Sequence, residues 1–168
     1  MENAQQEKNW YVVVTYPNLE RKALLNLLKN NFIAFLPLQK VQRKWSDRKK
    51  TIEIPLFPNY LFININEKDR FEALDIYGVK RYVTFGGRPA FISETDILNI
   101  KRIVESVDLY IEHSLVKGDA VKIIGGPFKD MIGILFKKSG QARFGIRVES
   151  MNQTLSIEIC HTLIRKVF

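Results

Sequence analysis

The sequence predicts an α+β protein in two parts: an N-terminal sandwich of helices on a mostly antiparallel sheet, then a small C-terminal β-barrel. Two observations lead there. Up to Val104 the elements read in the order β-α-β-β-β-α-β-α, which suits helices laid on an antiparallel sheet. Beyond Val104 the texture changes to short strand-like runs punctuated by Gly118, Gly125-Gly126-Pro127 and Gly140, the pattern of a small barrel.

Each element has a local reason. Trp10–Tyr16 (WYVVVTY) is β-branched and aromatic and reads as a strand. Pro17-Asn18 ends it, with Asn18 as the expected helix cap. In the following helix Leu24, Leu25, Leu27 and Leu28 form the predicted apolar stripe, and Lys22, Asn26 and Lys29 share the opposite face. Phe32–Leu38 reads as a strand continuing toward Lys44, with a turn at Trp45-Ser46-Asp47-Arg48. Thr51–Leu56 and Tyr60–Asn66 are the next strands. Glu67–Tyr77 reads as a short helix stopped by Gly78, and Val79–Phe85 as a strand broken by Gly86-Gly87. Ser93 followed by Asp96 signals a helix start leading into Ile97, Ile100, Ile103 and Val104. The barrel strands are expected at Ala120–Ile124, Gly133–Lys137, Arg143–Glu149 and Thr154–Ile159.

One stretch breaks the usual alternation. In IPLFPNYLFI (Ile54–Ile63), Phe57, Leu61 and Ile63 point one way and Tyr60 and Phe62 the other, so both faces are apolar. Either a helix of the same domain covers the second face, or a partner does.

Composition bounds the function. The 168 residues are 46% hydrophobic, normal for a folded protein, and the net charge of +8 favours polyanionic partners. Both parts are basic: residues 1–112 carry 17 basic and 14 acidic side chains, and residues 113–168 carry 9 and 4. No apolar run is long enough to span a bilayer, so no membrane role is expected. Residues 1–9 lack the apolar stretch of a secretory signal, and the single Cys160 cannot close an internal disulfide, so a cytoplasmic location is expected.

Catalytic chemistry is sparse. Cys160 and His161 are adjacent, so on a strand they point to opposite faces and do not form a thiol–imidazole pair. The only other histidine is His113, and no second cysteine is present for a zinc cluster. Gly125-Gly126-Pro127 lacks the Lys-Ser/Thr of a phosphate loop. No enzymatic activity, metal or cofactor is expected. The cationic stretch KVQRKWSDRKK is more informative. Lys40, Arg43, Lys44, Arg48, Lys49 and Lys50 stand against the single Asp47 on the two arms of a predicted hairpin, with Trp45 near its tip. Such a hairpin can track a phosphate backbone, and the tryptophan can stack on a base. It can equally be a solvated edge guarded by lysines.

Four segments in order, Trp10-Tyr11, PLFPNYLF (Pro55–Phe62), GVKRYVTFGGRPAFI (Gly78–Ile92) and GDAVKIIGGPFKDMIG (Gly118–Gly133), resemble the NusG family of transcription elongation factors. PLFPNYLF and the cationic stretch resemble its specialised RfaH/UpxY type, antiterminators of polysaccharide operons. The resemblance implies an NGN domain over 8–106, a linker over 107–114 and a KOW barrel over 115–168. It also implies a monomer that binds RNA polymerase at the clamp helices of its largest subunit and suppresses pausing. The implied polymerase-binding residues are Val14, Tyr16, Phe57, Tyr60, Phe62 and Phe85, with Phe57 partly in the core and Tyr60 or Phe62 making contact. The RfaH type has a tyrosine where Val14 stands.

Non-template DNA or nascent RNA is the implied nucleic acid, with Lys22 and Lys29 at positions of DNA-binding arginines and Arg43, Lys44, Arg48, Lys49 and Lys50 on the hairpin. Other DNA-reading positions hold Tyr16, Pro17 and Asn26, and Arg70–Ala73 (RFEA) replaces a polar cluster that meets the opposite polymerase pincer. In the barrel, Phe128, Met131 and Met151 fall where the family binds a NusE-type ribosomal protein or Rho; each is also a fitting core residue. Two further functions stay open: a housekeeping factor assisting Rho termination, and a KOW-containing ribosomal or RNA-binding protein.

Overall fold

The computed structural model describes residues 8–44, 49–105, 110–112, 118–125, 128–138, 141–158 and 164–167. Backbone contacts divide the chain into two units, Met1–Glu94 and Thr95–Phe168.

The first unit is built on strand β1 (Asn9–Thr15). It pairs antiparallel with β5 (Tyr60–Ile65), β6 (Val79–Tyr82) and β9 (Phe91–Ile92), and β2 (Ile33–Phe35) extends the sheet beyond β5. The unbroken apolar run in β1 follows from burial on both faces: Trp10, Tyr11, Val12 and Val13 all lie inside. On one face Tyr11, Val13, Leu61, Ile63, Ile65 and Tyr82 meet Ala23 and Leu27 of α1 (Glu20–Lys29). On the other, Val12 stands beside Phe62 in register. The Phe57 ring meets Phe62 edge-on at 6.1 Å and Phe35 stacks on it at 6.0 Å. Aromatic rings of the same unit therefore cover the second face of IPLFPNYLFI.

Helix α1 departs from the expected pattern. Asn18 takes a left-handed conformation (φ 62°) instead of capping the helix, and the cap position falls to Leu19. Glu20, Ala23 and Leu27 form the buried stripe, while Leu25 and Leu28 face solvent. The physical reason lies at Gly78 (φ 103°). A Cβ there would stand 2.8 Å from the Ala23 Cβ, so an alanine on the helix and a glycine in the turn before β6 let the two backbones approach. Glu20 is buried because its carboxylate accepts the Asn59 backbone N–H at 2.9 Å.

Three expected elements are split. The strand read from Phe32 toward Lys44 breaks at Leu36-Pro37 into β2 and β3 (Leu38–Lys44). The Pro37 carbonyl accepts from Leu56 at that corner. β3 then forms a separate two-stranded sheet with β4 (Lys49–Pro55). The helix expected over Glu67–Tyr77 is a 3₁₀ turn at Glu67–Asp69 followed by the short α2 (Arg70–Leu74). The strand expected over Val79–Phe85 ends as β6 at Tyr82. The chain then makes a hairpin of β7 (Thr84–Phe85) and β8 (Arg88–Pro89), turned by Gly86 and Gly87 at φ 55° and 78°, the two positive values of a type I′ turn.

Helix α3 (Glu94–Ile103) buries Ile97, Asn99, Ile100 and Ile103. Its first residue accepts a hydrogen bond from the Trp10 indole. The C-terminal unit is a small β-barrel, a six-stranded antiparallel sheet in the order β10-β14-β13-β12-β11-β15. Its strands are β10 (Tyr110–Glu112), β11 (Asp119–Ile123), β12 (Ile132–Lys138), β13 (Gln141–Val148), β14 (Gln153–Glu158) and β15 (Ile164–Lys166). β10 lies in the segment expected as linker; Ile111 pairs with Leu155. Val121, Ile123, Met131, Phe144, Ile146, Val148, Met151, Leu155 and Ile157 are buried in this unit.

Two outcomes test this architecture. Gly78→Ala is expected to destabilise the protein by roughly 2–4 kcal/mol, from left-handed strain plus the clash with α1. Denaturant titration reads the loss, and an unchanged midpoint contradicts the close approach. A fragment of residues 107–168 is expected to give a strand-dominated circular dichroism spectrum, because all six strands pair among themselves. A helical spectrum would mean that this segment refolds when detached.

Candidate functional site

The first candidate surface lies at the end of the sheet where β1 leaves it. Val14 pairs with Tyr60 on β5 and with Arg81 on β6. The next residues are fixed by the main chain: the Thr15 N–H donates to the Asn59 carbonyl at 2.8 Å and the Tyr16 N–H to the Gly78 carbonyl at 3.1 Å. Asn59 adopts φ 66°, which turns the chain back into β5, and the Glu20 carboxylate holds that turn from α1. One glutamate thus positions the turn that presents Tyr60.

The six expected docking residues separate here. Phe57 and Phe62 are fully buried, so the expectation that Phe62 makes a contact is corrected: its ring is enclosed by Phe35 and Phe57. Val14 and Tyr60 are half-buried, Tyr16 is 48% exposed and Phe85 69% exposed. The Lys80 ammonium lies 5.7 Å from the centre of the Tyr16 ring. Val14, Tyr16 and Tyr60 therefore form a small, partly exposed patch with Lys80 beside the Tyr16 ring, the composition that interface hot spots use, and Phe85 stands exposed on the β7–β8 hairpin.

The second candidate surface is cationic. In the β3–β4 hairpin, Lys40 stands opposite Glu53, Arg43 opposite Lys50 and Lys44 opposite Lys49. Like charges directly opposite one another destabilise a strand pair, so the distal half of this hairpin is better suited to an anion than to water alone. Its base is fastened to α1: an Arg21 guanidinium N–H donates to the Glu53 carbonyl at 2.9 Å, and the guanidinium lies 3.7 Å from the Glu53 carboxylate. Trp45, Ser46, Asp47 and Arg48 lie outside the described residues.

Lys22 and Lys29 are exposed on α1. The Lys22 ammonium sits 4.9 Å from the centre of the Tyr77 ring, and the Asn26 amide donates to the Tyr77 carbonyl at 3.0 Å. Tyr77 is 61% exposed and was not among the expected site residues. Its only sequence signal is its place before Gly78; nothing in spacing links it to Lys22. Arg81 and Lys80 were likewise missed, since basic residues on a short strand carry no mark of what they flank.

In the barrel, Met131 and Met151 are buried, which corrects the expectation that they present a partner surface: both complete the core. Phe128 is half-buried in the β11–β12 connection, which begins at the exposed Ile124 and ends before the exposed Ile132. His113, Cys160 and His161 lie outside the described residues. Among the described residues no cluster of His, Cys, Asp and Glu is placed to hold a metal, and no helix is long and apolar enough to cross a membrane.

Comparison with known proteins bears on these surfaces. A family model described as "Transcription termination factor nusG" matches residues 8–101, more than half of the chain. NusG of Thermus thermophilus, a transcription termination/antitermination protein, is 28% identical over 148 residues, covering 74% of this chain and 79% of that protein. The NusG of Halalkalibacterium halodurans is 23% identical over 178 residues and covers 96% and 99%. A solved structure of Thermotoga maritima NusG, described for its domain interaction, superposes with a TM-score of 0.55 at 22% identity, covering 96% of this chain and 98% of that one. That likeness supports the two-part fold. The chain belongs to the NusG family of transcription termination and antitermination factors.

Proposed function

We propose that this protein binds RNA polymerase at the clamp helices, through the aromatic surface of Val14, Tyr16, Tyr60 and Phe85. In this reading the β3–β4 hairpin and the Lys22–Tyr77–Lys29 face of α1 hold the exposed non-template strand or the nascent RNA. The observation that supports it most is the pairing of cation with cation along the distal hairpin, a charge arrangement that a polyanion stabilises. Binding both polymerase and nucleic acid adds free energy to the processive state, so pausing and termination fall by a shift of population, with no bond made or broken. The finer reading is an operon-specific antiterminator of the RfaH/UpxY type acting on polysaccharide operons, in the cytoplasm.

A second reading has its own support. The relatives compared above are named simply as NusG, and Phe128 between Ile124 and Ile132 offers an apolar spot for a NusE-type ribosomal protein or Rho. Stimulation of Rho-dependent termination in a purified transcription assay would favour that housekeeping role. Read-through of terminators restricted to particular leader sequences favours the specialised one.

Two measurements test the interfaces. Tyr16→Ala combined with Tyr60→Ala is expected to weaken binding to core polymerase by about 2 kcal/mol or more, roughly 30-fold, with the melting temperature nearly unchanged. Phe62→Ala should instead lose about 3–5 kcal/mol of folding stability. Wild-type affinity in the folded double variant rejects the docking surface. Replacing Arg43, Lys44, Arg48 and Lys49 by Gln is expected to leave polymerase affinity intact. The slope of log affinity for single-stranded nucleic acid against log salt should fall by up to about 3, at roughly 0.7–0.9 per phosphate contact. An unaltered slope makes the hairpin a solvated edge.

A further inference from the structure

A separate trough runs along the first unit beside the β7–β8 hairpin. One recess of about 560 Å³ is lined by Tyr11, Glu67, Arg70, Arg88 and Phe91 among others. A second, of about 310 Å³, is lined by Arg70, Phe71, Arg81, Tyr82 and Thr84. The linings of both include Arg70, Gly87 and Pro89, so the two recesses lie side by side. Three arginines therefore line one trough, against the single carboxylate of Glu67, which lies 3.6 Å from the Arg70 guanidinium. Arg88 has no hydrogen-bond or ion-pair partner among the described residues, and Arg81 donates only to the carbonyl of Tyr82, at 3.2 Å. Large rings stand exposed beside them: Phe71 at 65% and Phe91 at 70%. The Arg70 guanidinium lies over the Phe71 ring at 4.9 Å.

The backbone of this trough is fixed. Tyr82 donates its hydroxyl to the Arg70 carbonyl at 2.7 Å and meets Tyr11 edge-on at 5.9 Å. Burial pushes the Tyr82 hydroxyl well above the usual phenol range, so it stays a donor. Gly86 and Gly87 have open space where side chains would be, so the hairpin turn leaves the trough clear.

We infer that this trough is a second binding track for single-stranded nucleic acid, with Arg81 and Arg88 on phosphates and Phe71 and Phe91 stacking on bases. An open trough lined by both cationic and aromatic groups suits a strand that carries phosphate and base; a free nucleotide wants an enclosed pocket, and a duplex hides its base faces. The inference rests on the nucleic-acid part of the proposed function but uses none of the β3–β4 hairpin or α1 residues.

The test uses the full-length protein and a fluorescently labelled oligothymidylate of about 12 nucleotides, within the span of single-strand binding sites. Arg81→Gln with Arg88→Gln is expected to lower the salt slope by about 1.4, two single-strand phosphate contacts. Phe91→Ala is expected to weaken binding about 5- to 150-fold at fixed salt, with Phe91→Trp restoring it. Should the alanine variant melt early, the arginine pair, on exposed side chains, decides. Groove variants that bind like wild type while the hairpin variant loses its slope overturn the inference and leave the hairpin reading standing. A slope lost in the groove variants alone supports the trough and removes the hairpin from the nucleic-acid face. Polymerase affinity, measured in parallel for the Arg88→Gln single variant, reports on the clamp docking independently, because Arg88 lies outside the Val14–Tyr16–Tyr60 patch.

Discussion

Strand β1 is paired along both edges and covered on both faces. β5 lies on one side and β6 and β9 on the other; helix α1 covers one face and a cluster of phenylalanine rings the other. Every polar main-chain group of such a strand needs a partner within the fold, because water cannot reach it. That requirement explains the tight turn at Asn59 and the insertion of the β7–β8 hairpin between β6 and β9. Each returns a neighbouring strand to β1 in register. It also leaves exposed candidate groups at the end of the sheet, where β1 runs out at Val14 to Tyr16, on the outer faces of the helices and on the hairpins that project from the sheet.

The fold class was legible because hydrophobic runs and glycine punctuation mark strands wherever they are buried. The site was legible only in part. IPLFPNYLFI announces that both faces of a strand are apolar, but composition cannot say whether a second face is covered by the same chain or by a partner. Phe62 and Tyr60 differ in this respect only because Phe35 and Phe57 reach one and not the other. Helix α1 shows the opposite difficulty. Its leucines advertise an apolar stripe, yet of them only Leu27 is fully buried, and Ala23 and Glu20 are turned inward with it. Small volume allows Gly78 to approach, and a backbone N–H satisfies the carboxylate; neither fact is visible from helical periodicity. Met131 and Met151 fit a pliable surface as well as a core, and the barrel used them as core.

Charge behaves differently from hydrophobicity in this respect. Lys and Arg are found at surfaces almost regardless of purpose, so their number says little and their arrangement says more. Lys22 acquires meaning from Tyr77, Arg81 from Val14 and Tyr60, and the hairpin cations from one another. All of these relations arise from pairing and packing across long stretches of sequence.

The register of the β3–β4 hairpin has a thermodynamic consequence. Its base is tied down by Arg21, but toward the tip each rung sets one cation against another. That repulsion lowers the hairpin's own stability and weakens as salt rises. Any polyanion seated across the rungs removes it, so occupancy and local order are linked quantities: a bound strand firms the hairpin by the same free energy that the ordered hairpin adds to binding. On the proposed reading, the order of the hairpin and its occupancy by nucleic acid rise and fall together.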